Sequence, residues 1–118
     1  MTALGSSGVA SNLTTTTATI ANGETLSGEV AFGGLRLFSL DIPVMTGASL
    51  TFEVYSEELS AWLPKYDDAG SVYSVVCGDP ARQVSLDPSA FASVEKIRIT
   101  SSASEASERT IGIISRGV

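Results

Sequence analysis

Histidine is absent from the 118 residues, and cysteine occurs once, at Cys77. The first absence removes the commonest general base near neutral pH and the commonest metal ligand, so no triad built on imidazole can form. The second excludes an intramolecular disulfide and a thiolate metal cage, and it fits a reducing compartment. Basic residues are also scarce: 7 Lys and Arg stand against 13 Asp and Glu, for a formal charge of −6, and none of the basic residues cluster. Nucleic-acid affinity comes largely from basic side chains that displace counterions, so no nucleic-acid partner is expected. The surplus negative charge favours solubility and could complement a basic patch on a protein. No apolar run approaches the ~20 residues that cross a bilayer, and none is expected to enter a membrane. The first 13 residues have neither the basic nor the apolar segment of a secretory signal, so a soluble protein that is not exported by that route is expected.

What the chain does contain is enough for one core. Aromatic residues make up only 7% of it, so burial falls to Leu, Ile, Val and Ala, supported by four Phe. Residues 1–14, built mostly of Thr, Ser, Gly and Ala, offer too little to bury to offset their ordering entropy and read as a flexible arm. Residues 15–118 read as one domain in which short β-rich runs alternate with turn signals. Strands are expected at 15–21, ending at Asn22-Gly23; at 25–32, ending at Gly33-Gly34; and at 36–42, ending at Pro43. The clearest is 49–55, where Leu50, Phe52 and Val54 alternate with Thr51, Glu53 and Tyr55, giving one apolar face for the core. Further strands are expected at 61–66 and 71–77, separated by Asp67-Asp68-Ala69-Gly70, and at 83–86 after Gly78-Asp79-Pro80. Asp87 stands where an N-cap would and Pro88 at the first helical position, which predicts one or two helical turns with Phe91 plugging the core beneath. Strands at 95–101 and 109–115 follow, carrying Ile97, Ile99, Ile111 and Ile113 inward. Between them, residues 101–108 are expected to form an exposed loop: Ser102 and Glu105 have capping-box spacing, but no apolar run follows to give a helix a face to bury. The fold class is therefore all-β, an antiparallel, jelly-roll-like sandwich of eight or nine short strands with one helical turn.

No constellation of acid, base and nucleophile is visible, so the chain is not expected to be an enzyme and no cofactor or metal is expected. Cys77 ends an apolar run and reads as a buried structural thiol. Asp67 and Asp68 lack the further acidic and Gly positions of a calcium loop and read as a turn. Glu57 and Glu58 read as a solvated loop in place of a glycosidase pair. Asn12-Leu13-Thr14 matches a glycosylation sequon by chance, and Gly23, Gly33 and Gly34 are turn glycines. Tyr55, Trp62 and Tyr66 are the candidate site residues: they could stack on sugar rings or pack at a core or subunit interface.

Thr19-Ile20-Ala21-Asn22-Gly23, Ser27-Gly28-Glu29-Val30, Gly34-Leu35, Ile42-Pro43 and Ala48-Ser49-Leu50-Thr51-Phe52-Glu53-Val54 together carry a resemblance. So do Leu86-Asp87-Pro88 with Phe91, Ile97-Arg98-Ile99 and Arg109-Thr110-Ile111. Over roughly residues 18–117 the chain resembles small β-sandwich virion proteins of tailed bacteriophages. The resemblance implies a capsid decoration or cement protein on the virion surface, made in the host cytoplasm. It further implies a homo-oligomer, a trimer by expectation, whose partners are its own copies and the major capsid protein. A tail-associated adhesion or carbohydrate-binding module is the alternative. Ser56-Glu57-Glu58-Leu59-Ser60 stands where the group has a Ser-x-Asp-Gly turn, and no site residue is carried over.

Overall fold

The computed structural model describes residues 13–31 and 36–116. The arm expected at the N-terminus lies outside them up to residue 12, as do Phe32 and the Gly33-Gly34 turn. Nine strands are present among the described residues: β1 (Leu13–Ile20), β2 (Val30–Ala31), β3 (Arg36–Ile42), β4 (Ser49–Ser56), β5 (Ala61–Pro64), β6 (Ser74–Val76), β7 (Arg82–Ser85), β8 (Lys96–Ser101) and β9 (Arg109–Arg116). The first begins two residues earlier than the sequence suggested, because Leu13 and Thr14 already pair with Arg116 and Ser115.

The strands form two antiparallel sheets, β1-β9-β3-β7 and β2-β8-β4-β5, with β6 pairing to the first half of β4. This order is the jelly roll: outer strands of the chain pair with each other, inner ones pair within, and the long ribbon is rolled so that β9 lies between β1 and β3 while β8 lies between β2 and β4. The sandwich arises from period-two burial. Leu50 and Phe52 of β4, Ile97 and Ile99 of β8, Ile111 and Ile113 of β9, Leu40 of β3 and Ile20 of β1 all point between the sheets, at 1% exposure or less. Each such side chain contributes about 1.5–3 kcal/mol relative to an exposed position.

The helical turn forms as a single 3-10 turn over Pro88–Phe91. Asp87 Oδ1 accepts hydrogen bonds from Ser89 N–H at 3.0 Å and from Ser89 Oγ at 2.7 Å. These bonds hold the Asp87 carboxyl below its ordinary pKa. The turn drives Phe91 into the open end of the sandwich, where it meets Phe52 edge-on at a centroid distance of 5.2 Å and Tyr73 at 5.2 Å.

Candidate functional site

Two places concentrate side-chain chemistry. One is the outer face of the five-stranded sheet. In β4 the residues alternating with the core set are Thr51, Glu53 and Tyr55, and the hairpin register sets Tyr55 opposite Trp62 and Glu53 opposite Pro64. On the other side, β8 sets Arg98 opposite Glu53. Tyr55 and Trp62 therefore meet edge-to-face, with centroids 5.3 Å apart and ring planes at 67°. A cation caps each ring: Lys96 Nζ lies 4.6 Å from the Tyr55 centroid and Arg98 Cζ 4.2 Å from that of Trp62. Arg98 is held there by Glu53, whose Oε1 accepts from Nε at 3.0 Å and also from an η nitrogen. Lys96 pairs loosely with Glu29 at 3.7 Å. Tyr55, Trp62, Lys96 and Arg98 are all half-buried.

Of the three aromatic residues singled out in the sequence, Tyr55 and Trp62 are thus brought together. Tyr66 is not: it is 51% exposed, pairs across a bridge with Val72, and makes no ring contact with the other two. It borders a shallow depression with Asp67, Asp68 and Asp87. Asp67 serves its turn there, since Oδ1 accepts from Ala69 N–H at 3.0 Å and Ser71 N–H at 2.9 Å. Glu57 and Glu58 are exposed in the β4–β5 turn. Among the described residues, no group of three or more Cys, Asp or Glu side chains is placed to hold a metal ion.

The second place lies in the connection at 101–108, which forms the expected loop, exposed at Ser102, Ser104 and Ala106 to Glu108, but turns one acidic side chain inward. Ser101 is buried, and Glu105 has 1% of its surface exposed, making it the buried carboxylate of the fold. Glu105 Oε1 accepts from Thr46 N–H at 2.8 Å and from Arg109 Nε at 3.0 Å, and Oε2 from Gly47 N–H at 3.0 Å and Ser101 Oγ at 2.6 Å. Its own backbone accepts from Gly23 N–H and donates to Glu24 C=O. Burial alone would raise its pKa, but the bonds from Ser101, Thr46, Gly47 and Arg109 outweigh it and bring the value down to about 2. The β3–β4 connection is thereby tied to the Glu105 carboxylate and the β1–β2 connection to the Glu105 backbone, so that one residue of the β8–β9 connection holds both. Cys77 joins the same pole as expected, buried, with its Sγ donating to Gly47 C=O at 3.2 Å; burial first, and then the nearby Glu105 charge, raise its thiol pKa.

The chain is a jelly-roll sandwich with a cation-capped aromatic pair on one outer face and a carboxylate-tied pole. A solved structure of similar fold is the crystal structure of the SPBc2 prophage-derived protein YomS, which superposes with a TM-score of 0.52 over 89% of this chain and 95% of that one, at 14% sequence identity. At that identity the likeness is one of fold. No protein-family model matches the chain, and no curated protein matches its sequence.

Proposed function

We propose that this protein is a structural component of a phage virion, a decoration or cement protein that binds the assembled head shell as a homo-oligomer and acts by contact and not by catalysis. The observation that carries this reading is the Tyr55-Trp62 pair flanked by Lys96 and Arg98 on an open sheet face. Tyr, Trp and Arg are the residue types that dominate binding energy at protein interfaces, and half-buried, pre-oriented rings lose little conformational freedom on docking. The jelly-roll fold shared with a prophage-derived protein supports a phage origin. Cementing a shell requires only interface area, about 800 Å² per partner in a specific contact, repeated over the lattice. Four hydrogen bonds within the fold occupy the Glu105 carboxylate, which leaves that group to structure.

The test is co-sedimentation of the full chain with purified, undecorated head shells assembled from the major capsid protein of the phage whose genome carries it. Saturable binding that Trp62→Ala weakens about tenfold or more is expected for an interface anchor. Shells that sediment without the protein would reject the reading. Adhesion to carbohydrate is less well supported, because the 67° angle between the rings and the cation over each leave no flat aromatic platform; a glycan array giving a signal that Trp62→Ala abolishes would favour it instead.

A further inference from the structure

The four sheet edges are unequal. β2 has two residues, β6 three, and β5 and β7 four each, with Pro64 closing β5. Short strands and proline are the usual means by which a sheet edge is kept from pairing with another chain. β1 has none of these protections. It runs eight residues, Leu-Thr-Thr-Thr-Thr-Ala-Thr-Ile, without charge, proline or bulge, and pairs with β9 in unbroken register at every position.

Its free side can be read from the hydrogen bonding. In an antiparallel ladder, alternate residues direct both backbone groups to the same neighbour. Gly28 N–H donates to Thr19 C=O, so Thr19 faces away from β9, and with it Leu13, Thr15 and Thr17. The side chains of these four residues are exposed, and among the described residues the backbone groups of Leu13, Thr15 and Thr17 have no partner on that side. Three consecutive outward residues thus offer a regular row of donors and acceptors about 13 Å long.

We infer that β1 is a strand-pairing interface whose occupant is β1 of a second copy, antiparallel about a two-fold axis. Two observations select that occupant. A two-fold contact must be self-complementary. A register centred on Thr15 sets Thr15 against Thr15 and Leu13 against Thr17, with no like charges opposed and with a cross-strand Thr pair that is favourable. The protein also carries a net charge of −6, which opposes the approach of two copies, yet no acidic residue lies on β1 or on β9 beside it. That edge is where two copies meet with least repulsion. The contact gives an even number of copies, in place of the trimer expected from resemblance, and it stands independently of binding to a shell.

Sedimentation equilibrium of the full chain tests it. The unmodified protein is expected to sediment as an even-numbered oligomer. Thr15→Pro removes an N–H that faces outward and leaves the β1–β9 ladder intact, so the fold tolerates it as an edge proline. Each two-fold contact then loses two hydrogen bonds, and the dissociation constant should rise roughly thirtyfold. Thr17→Lys, which places like charges across the axis and keeps every backbone group, should weaken association in the same direction and more strongly at low salt. A monomeric unmodified protein, an odd-numbered oligomer, or an oligomer that folded Thr17→Lys protein retains at full strength would overturn the inference.

Discussion

Replacing Glu105 by Gln isolates what one buried charge does for this fold. The carboxylate accepts four hydrogen bonds, two of them from the backbone of residues 46 and 47, and its pKa falls from an ordinary 4.5 to about 2. The interval corresponds to about 3 kcal/mol of stability supplied by the ionised form. Because the folded pKa is the lower one, that stabilisation is complete above pH 4.5 and is lost as the pH falls towards 2. At pH 3 about 2 kcal/mol of it is gone. Glu105→Gln keeps the shape but turns one acceptor into a donor that faces donors, and it leaves Arg109 without its anion, so a loss of about 3–5 kcal/mol at neutral pH is expected. Urea unfolding of both proteins at pH 7, 5, 4 and 3 reads the difference directly. Contributions common to the two proteins cancel in the comparison. The gap should be constant from pH 7 to 5 and narrow by about 2 kcal/mol by pH 3. A gap under 1 kcal/mol at pH 7, or one that does not change with pH, would refute the assignment of Glu105 as an ionised tie.

Gly47→Ala should destabilise the protein by about 1–3 kcal/mol, since a Cβ built there overlaps Ser101 Oγ within the same cluster. Thermal melts followed by circular dichroism would show it, and an unchanged midpoint would mean that the pole is looser than its hydrogen bonds imply. Cys77, 6% exposed and with its pKa raised, should react with a disulfide reagent at pH 7.5 about a hundredfold more slowly in the native protein than in urea. Equal rates would contradict its burial.

The strands were legible where burial follows a period of two. Leu50-Phe52-Val54 and Ile97-Ile99 alternate with polar residues, and both ladders pair in the same sheet with Phe52 opposite Ile99. The Asp87-Pro88 start of the short helical turn was equally local, because an N-cap bond spans two residues. The pairing of Tyr55 with Trp62 followed from a hairpin that sets them opposite each other, whereas Tyr66, only four residues further on, lies past the point where β5 leaves β4. Glu105 was missed for a physical reason. Its bonds to Thr46 and Gly47 cross 59 and 58 residues, and a segment of Ser, Ala and Glu gives no local indication that its carboxylate turns inward. Lys96 and Arg98 alternate with the buried Ile97 and Ile99, which marks them only as the outer side of a strand. Their position over two rings depends on which strand β8 lies beside, and the rolled topology decides that.

In β1 and β9, Leu13 stands opposite Arg116, so the first and last described residues leave the body side by side. A label, a tether or a cargo domain fused directly at Leu13 would emerge at the same pole as one fused directly at Arg116. A few linking residues should join Arg116 back to Leu13 and close residues 13–116 into a circle, and new ends could then be opened at the exposed Glu57-Glu58 turn without cutting either sheet.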